Sequence, residues 1–311
     1  MAAVTGTRAD RSAVTDIRRV DRRSREYPVR LHHLTDPPEC LWATGPLQIS
    51  SDRMVAVVGT RRATEYGRRT AEKISWGLAA AGWTVVSGLA RGIDAAAHRG
   101  ALDAEGRTLA VLGCGVDRVY PATNRDLRRR IARSGALVSE FEPGTPPLRH
   151  HFPQRNRIIA ALARAVVVVQ AGEPSGALIT ADMALDLGRE VLAVPGPVDQ
   201  AVSCGVHRLL REGAGLVTSA QDVFQALGER DPVRVPRLTA DGPREHATRA
   251  EYGAAAGLIR ACLEAGPAGV EEICQRLGIS LPGALAALGT LEIAGIVRAL
   301  PGQRYELAVR W

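Results

Sequence analysis

The stretch MVAVVGTRRATEYGRRTAEKISWGLAAAGWTVVSGLARGIDAAAHRG, residues 54–100, decides the fold of this chain. Its apolar run Met54–Val58 predicts a strand buried on both faces, and Gly59 then allows the backbone to turn sharply. Apolar residues at helical spacing come next, and Trp83–Val86 forms a second apolar run. The pattern therefore predicts a strand, a helix and a strand, followed by a second tight turn that opens another helix.

Both turns of this stretch combine glycine, a small hydroxyl residue and arginine. Because ligands of parallel sheets bind beyond the carboxyl ends of the strands, we expect both turns at one binding edge. Helix N-termini at that edge offer free N–H donors and partial positive charge, which suits phosphate. Neither turn has the G-x-G-x-x-G dinucleotide pattern or a Walker lysine, and either alone is explained by a tight β–α connection. The candidate phosphate contacts are Gly59, Thr60 and Arg61 in the first turn and Ser87, Gly88, Arg91 and Gly92 in the second.

The rest of the chain divides into segments of different pattern. Strand-like and helix-like runs alternate as far as Leu227, which predicts an α/β, doubly wound, mostly parallel Rossmann-like sheet in a domain over residues 27–227. Residues 228–249 contain three prolines and no apolar period, which is typical of a linker. Residues 250–311 predict three helices and a hairpin, so we expect a small C-terminal winged-helix domain there.

Charge and cysteine usage narrow the class of protein. Residues 1–26 are rich in arginine and lack an apolar period, which predicts a disordered arm. The formal net charge of +7 favours a polyanionic partner through electrostatic steering. The five cysteines show no C-x-x-C spacing, which indicates neither a zinc site nor a disulfide framework. No segment is typical of a membrane span or a signal peptide, so we expect a cytoplasmic protein. We also expect neither a bound metal nor a cofactor.

Five blocks of sequence follow one another in order along the chain. They are SGLARGIDAAAHRGAL (87–102), GCGVDRVYPATN (113–124), SEFEPGTPPLRHHFPQRNRIIAAL (139–162), SGALITADMALDLGREVLAVPG (175–196) and GVHRLLREGA (205–214). Together they resemble the successive signatures of the DNA-processing protein A (DprA/Smf) family, over roughly Tyr27 to Leu227. The C-terminal winged helix fits a module often found in that family.

The resemblance implies a function for the chain. It implies an extended Rossmann fold that binds single-stranded DNA without catalysis, and that protects incoming DNA. It also implies loading of the recombinase RecA during natural transformation and DNA recombination, and a homodimer formed through the Rossmann domain. Family members usually carry a helical module before the segment that matches Tyr27, so that module is expected to be missing or truncated here.

The matched blocks add a second group of candidate contacts. Guanidinium forks can bind phosphate oxygens in pairs, and hydroxyl and amide side chains can add hydrogen bonds. Phe152 could stack on a base, although anchoring its own loop is an equal alternative. The added candidates are Arg155, Asn156, Arg157, Ser175, Gly176 and Thr180.

Two other functions stay open at this point. Phosphoribohydrolases of the lysine-decarboxylase-like (LOG) type use a P-G-G-x-G-T-x-x-E loop. The comparable stretch here is PSGALITADMA, whose only acid is Asp182, so the catalytic glutamate has no counterpart. The chain could also be a nucleotide-sensing scaffold that docks a partner through the winged helix. The would-be recognition helix, Leu281–Ala294, has no Arg, Lys, Asn or Gln, so we do not expect it to read base edges.

Overall fold

A computed structural model describes residues 16–45, 52–229, 253–264, 266–278, 281–293, 296–300 and 304–308 of the chain. The chain divides into two units, residues 1–235 and 236–311. The predicted linker lies mostly within residues 230–250, outside the described residues. In the described part of the chain, no helix is both long and apolar enough to cross a membrane.

A nine-stranded sheet forms the centre of the first unit. Its order is β1-β2-β6-β5-β4-β3-β7-β8-β9. The pairs β1–β2 and β2–β6 are antiparallel, and all the others are parallel. The strands are β1 (Arg18–Asp21), β2 (Cys40–Thr44), β3 (Met54–Val58), β4 (Thr84–Ser87), β5 (Thr108–Val111), β6 (Ala136–Ser139), β7 (Ala165–Val168), β8 (Glu190–Ala193) and β9 (Gly215–Leu216).

Helices cover both faces of this sheet, as the predicted doubly wound fold requires. Alternate residues of β3 show why: Val55 and Val57 pack under α1, α2 and α7, whereas Ala56 and Val58 pack under α4, α5 and α6. The prediction of the fold class is confirmed. The helices are α1 (Glu65–Ala80), α2 (Ile93–Asp103), α3 (Arg125–Ser134), α4 (His151–Leu162), α5 (Gly176–Asp186), α6 (Cys204–Arg211) and α7 (Ala220–Ala226), with short 3-10 turns at Val29–His33, Ala122–Asn124 and Ala201–Ser203.

The start of α1 is held by a buried glutamine that follows β7. The Thr64 hydroxyl caps the helix by accepting from Gly67 N at 3.2 Å. Gln170 exchanges two hydrogen bonds with Thr64, at 3.0 and 2.8 Å, and its backbone oxygen accepts from Thr60 N at 2.7 Å. The turn after β3 is therefore fixed against the neighbouring strand before any ligand binds.

The N-terminal region departs from the sequence prediction. The prediction of a disordered arm over residues 1–26 is wrong for Arg18–Asp21, which form β1, an outermost strand of the sheet. Val20 pairs with Leu41 of β2, and both side chains are buried. A four-residue strand with one apolar side chain gives no periodic signal, and its pairing partner is distant in sequence. Residues 1–15 of the predicted arm lie outside the described residues.

The second unit has the architecture of a winged helix. Three helices pack around a core that includes Ile259, Ile273 and Leu288, beside a three-stranded sheet of order β10-β12-β11. The third helix exposes Leu281 and Leu285. The elements of the second unit are α8 (Gly253–Glu264), β10 (Ala268–Gly269), α9 (Val270–Leu277), α10 (Leu281–Ile293), β11 (Val297–Leu300) and β12 (Arg304–Leu307).

Candidate nucleic-acid interface

The two predicted turns meet at one edge of the sheet. They follow β3 and β4, which are parallel neighbours, so both lie beyond the carboxyl ends of their strands. Ile93 N, in the first turn of α2, donates to the Thr60 carbonyl oxygen at 3.3 Å and joins the two turns directly. Gly92 allows this close approach: its φ is +80°, and a β-carbon there would lie 2.3 Å from the Thr60 carbonyl oxygen.

An open groove of about 750 Å³ lies along this edge. Its walls are the turn after β3, the first two turns of α4 and the turn before α5. A small recess beside it is lined by Arg61, Gly88 and Arg91. The predicted contacts that line the groove itself are Gly59, Thr60, Arg61, Arg155, Asn156, Ser175, Gly176 and Thr180.

Three exposed arginines give the groove its positive charge. They are Arg61, Arg62 and Arg149, and within the described part of the chain none of them forms an ion pair. The Arg61 guanidinium lies over the ring of Phe152, with its central carbon 5.1 Å from the ring centre. Arg91, in the adjoining recess, is also exposed. These four cations are therefore placed to meet an anion from solvent.

Arg155 has a different environment, because its side chain is buried under the groove. Its Nη1 donates to the Gly88 carbonyl oxygen at 2.8 Å and to the Val111 carbonyl oxygen, and its Nε donates to Asn156 Oδ1 at 3.2 Å. Burial lowers the pKa of Arg155 to about 10, and nearby Asp94 opposes that shift. Arg155 thus ties the turn after β4 to the last residue of β5, and most of its donors are occupied within the protein.

Asp94 is the one carboxylate among the described residues that line the groove. It is 7% exposed, and its Oδ2 accepts from Ala90 N at 3.3 Å. Burial raises the pKa of Asp94, while the positive charge of Arg155 and the backbone N–H groups of Ala90 and Gly88 hold it down. This carboxylate therefore balances the buried arginine and holds the β4 turn.

The polar residues before and within α5 build the start of that helix. The Ser175 hydroxyl caps it by accepting from Ala177 N at 3.2 Å. Asn156 Nδ2 and Thr180 Oγ1 both donate to the Gly176 carbonyl oxygen, at 3.2 and 3.1 Å. Since Ser175 and Gly176 line the groove, the positive end of the α5 dipole lies beside it, where an anion is favoured.

Three sequence-predicted contacts, Gly92, Ser87 and Arg157, line neither the groove nor the recess. Ser87 is fully buried, and its hydroxyl donates to the Val57 carbonyl oxygen at 2.7 Å, so it serves the sheet. Arg157 pairs with Glu140 and donates to the Asp36 carbonyl oxygen at 2.8 Å, on another side of α4. Arg155 and Arg157 are two helical positions apart, which separates their side chains by about 200° around the axis.

The structure adds groove residues that sequence reasoning missed. Arg62 follows a predicted contact, and Arg149 lies in a loop whose path the sequence did not reveal. Tyr120 places its ring 5.4 Å from that of Phe152. Asn124 does not line the groove but supports the turn after β4, since its Nδ2 donates to the Leu89 and Ala90 carbonyl oxygens, at 3.0 and 3.2 Å. Its position in the block that ends PATN was the available signal.

Side chains that could bind a metal ion are not clustered at this edge among the described residues. Across the residues that the structure describes, no group of three or more His, Cys, Asp or Glu side chains could hold a metal ion. The helix partners Asp94 and His98 do not face one ligand either. His98 is fully buried, and its Nδ1 lies 2.7 Å from the Thr108 hydroxyl. His98 is therefore a packed histidine of the core.

Sequence families match both units. The family described as DNA recombination-mediator protein A matches residues 18–228, and the DprA winged helix domain matches residues 243–303. The chain belongs to the DprA family. The putative DNA processing protein DprA of Mycobacterium tuberculosis is 45% identical to it over 269 residues, which cover 86% of this chain and 68% of the relative.

Solved DprA structures share the fold. The X-ray structure of DprA from Streptococcus pneumoniae has a TM-score of 0.65 and 42% identity, covering 68% of this chain and 75% of the other. A DprA structure from Helicobacter pylori, reported for its single-stranded DNA binding mode, has a TM-score of 0.60 and 30% identity. It covers 65% of this chain and 93% of the other. These likenesses support the extended Rossmann architecture.

Proposed function

We propose that this protein binds single-stranded DNA in the groove at the carboxyl edge of its sheet and catalyses no reaction on it. The observation that carries the proposal is the set of exposed arginines, Arg61, Arg62 and Arg149, which have no acidic partner in the described part of the chain. Among the described residues, the one carboxylate that lines the groove is buried beside Arg155, so it does not repel a phosphate backbone strongly.

The other features of the groove suit a flexible single strand. The start of α5 supplies backbone donors, and the small residues Gly59 and Gly176 let a sugar–phosphate chain approach. The rings of Phe152 and Tyr120 offer a stacking surface, which unpaired bases use and a closed duplex does not. The Helicobacter pylori relative is known for binding single-stranded DNA, which supports the same ligand class for this chain.

A salt titration tests the proposal. If three or four arginines each neutralise one phosphate, log K for a single-stranded oligonucleotide falls with log salt at a slope of roughly −2 to −3. Arg61→Ala should weaken binding and flatten the slope by about 0.7. Arg133→Ala is the matched control, because Arg133 is an exposed arginine at the C-terminal end of α3, at the opposite edge of the sheet. Equal effects of the two substitutions on affinity and on the salt slope would contradict the proposal that the strand binds in the groove.

We further propose that the bound strand is handed to RecA during transformation and recombination. Membership of a family described as DNA recombination-mediator protein A supports this proposal. In a nucleation assay on single strands coated with a single-strand-binding protein, wild-type chain should shorten the lag of RecA filament formation. Arg61→Ala should shorten it less, in proportion to its lost DNA affinity. No effect of the wild type at saturating DNA binding would rule out loading.

A homodimer through the Rossmann unit completes this proposal. The outer edge of β9 is unpaired among the described residues, and Leu216 on that strand is exposed. Because β9 has only two residues, the contact we propose for a second copy is an apolar one through Leu216 rather than strand pairing. Sedimentation of the full chain should show a mass that rises to twice the monomer with concentration. A monomer at every concentration would contradict it.

The proposal that the protein is not an enzyme has its own test. Asp182, the acid nearest in sequence to a hydrolase glutamate, is exposed on α5 and does not line the groove. Asp94 is committed to Arg155 and to the β4 turn. Pure protein should therefore release no free base from nucleoside monophosphates. Release that Asp182→Ala abolishes would favour the phosphoribohydrolase instead.

A further inference from the structure

The turn after β1 forms a second basic surface. We define the basic turn as residues 22–25, with the sequence Arg-Arg-Ser-Arg. It borders an open depression of about 630 Å³, whose other walls are Tyr27, Val29, His32 and Glu39. Tyr27 fixes the base of this surface, since its ring is buried and its hydroxyl donates to the Pro38 carbonyl oxygen at 2.7 Å.

Two arginines of the basic turn are free to meet a ligand. Arg22 pairs with Glu39, at 3.2 Å between Nη1 and Oε1. Arg23 and Arg25 are exposed, and neither forms an ion pair within the described part of the chain. The turn itself is well fixed, because Arg22 N donates to the Glu39 carbonyl oxygen at 2.9 Å and Ser24 N donates to the Asp21 carbonyl oxygen at 2.8 Å. The two cations are therefore held on an ordered support.

The sheet places the basic turn at the same edge as the groove. Asp21, the last residue of β1, pairs with Cys40 at the start of β2. Because β2 runs antiparallel to β6 and Trp42 pairs with Ser139, the start of β2 lies beyond the carboxyl end of β6. Four strand spacings, about 19 Å, separate β1, which leads into the basic turn, from β4, whose turn borders the groove. A stacked single strand crosses that distance in roughly six nucleotides.

Two acids on this edge, Glu142 and Asp36, are exposed and form no ion pair within the described part of the chain. The acids that lie nearest the carboxyl ends of β5 and β6 have partners. Glu140, just after β6, pairs with Arg157 and is largely buried. Asp117 Oδ1 accepts from Gly144 N at 2.7 Å, and its carboxylate lies beside Arg118. Arg149, which lines the groove, comes from the loop that follows β6 and so adds a cation on this side.

We propose that a single strand leaving the groove runs along the carboxyl edge towards β1, and that Arg23 and Arg25 bind its phosphates. The inference rests on the proposed function, since it extends the path of the same ligand. The contact is to the backbone, so it adds affinity for longer strands and no preference for sequence. Short strands that fill only the groove do not reach it.

The test compares two oligonucleotide lengths at several salt concentrations. We would use oligothymidylates of roughly six and roughly fifteen nucleotides. The double variant Arg23→Ala/Arg25→Ala should bind the short strand like wild type. For the long strand its log K–log salt slope should be shallower by about 1.4, the share of two phosphates. Charge reversal at both positions should enlarge that effect.

A matched control removes the same charge elsewhere. Arg133 and Arg211 are exposed in the last turns of α3 and α6, at the opposite edge of the sheet, so Arg133→Ala/Arg211→Ala should leave both strands unaffected. Equal losses in the two double variants, equal losses on both strand lengths, or no loss on the long strand would each overturn the inference. If wild type bound neither strand, or if Arg61→Ala left the affinity unchanged, the proposal that the groove binds single-stranded DNA would itself be overturned.

Discussion

Arg155 donates from Nη1 to the carbonyl oxygen of Gly88 at 2.8 Å, in space that exists because Gly88 has no side chain. A β-carbon at residue 88 would lie 2.5 Å from Nη1 and 2.6 Å from Nη2. The same guanidinium also donates to the Val111 carbonyl oxygen. One buried arginine of α4 thereby joins the turn after β4 to the end of β5, and the groove is formed over it.

Gly88→Ala should therefore destabilise the fold. The guanidinium it would strike is buried and hydrogen-bonded, so relief requires movement of the β4 turn or of α4. We expect a loss of about 1–3 kcal/mol in the free energy of unfolding, typical of overpacking a closed site. Urea denaturation followed by circular dichroism would measure it, as a lower midpoint at unchanged slope.

The control for that change is Gly176→Ala, in the first turn of α5. The nearest atom to a β-carbon there is Asn156 Nδ2, at 4.0 Å. Alanine should fit without strain and leave stability equal or slightly raised, because it restricts the unfolded chain. If both substitutions lowered the midpoint equally, the contact between Gly88 and Arg155 would not be the cause.

Arg155 and Arg61 should separate stability from DNA binding. Arg155→Ala removes the positive charge that stabilises the buried Asp94 carboxylate and the donor that serves the Gly88 and Val111 carbonyl oxygens. Each buried group left unsatisfied costs about 1–3 kcal/mol. Arg61→Ala changes an exposed side chain, so its free energy of unfolding should stay within about 0.5 kcal/mol of wild type. Denaturation and DNA titration on both variants provide the comparison. An Arg155→Ala protein as stable as wild type would show that the buried network is not needed.

The sequence predicted the frame of this site from local signals. The apolar run of β3, the helical spacing in α1 and the glycine at each turn are short-range patterns that the fold keeps. Parallel topology then puts the turns after β3 and β4 at one edge, whatever the packing of their side chains. The exposed arginine of the first turn, Arg61, was found on these grounds alone.

Those short-range patterns did not predict which side chains of α4 face the groove. The helix starts at His151, within the Pro-containing stretch that precedes Arg155, and tolerates Pro153 in its first turn. Four residues of helix before Arg155 move it to the buried side, while Arg157 turns to Glu140. Which of two neighbouring arginines faces the groove depends on this helical phase, and the phase is set by where the preceding loop meets the sheet.

Because His98 is buried, we expect the free energy of unfolding to fall in acid. Its Nδ1 donates to Thr108 Oγ1, because that hydroxyl already donates to the Val85 carbonyl oxygen at 2.8 Å. Its Nε2 is buried without a partner among the described residues, so a second proton there would be unsatisfied. Burial, with smaller contributions from Arg155 and Arg99, lowers the pKa of His98 to about 3.

The sign of the pH effect follows from that shift. Between about pH 6.5, where an unfolded histidine titrates, and about pH 3, the unfolded chain binds a proton that the folded chain does not. The contribution of His98 to stability is complete above this window and falls by up to about 1.4 kcal/mol per pH unit within it. Urea midpoints of wild type and His98→Phe across this range would show it, since shared carboxylates cancel. Parallel pH profiles would contradict the assignment.

Phe152 should contribute affinity that salt does not screen. Its half-buried ring lies under the Arg61 guanidinium and 5.4 Å from the ring of Tyr120, at the wall of the groove. If a base stacks on this surface, Phe152→Leu should weaken single-strand binding by about 1–3 kcal/mol, with the log K–log salt slope unchanged. Fluorescence anisotropy at several salt concentrations gives both quantities.

Two comparisons make the Phe152 result decisive. Arg61→Ala should lower affinity and flatten the slope together, because it removes a charge. Tyr66→Leu removes another exposed ring, one that does not line the groove, and should leave DNA binding unchanged. If Phe152→Leu instead lowers the urea midpoint and leaves affinity intact, the ring anchors its own loop under Arg61. The bases would then be bound by the cations and backbone donors of the groove alone.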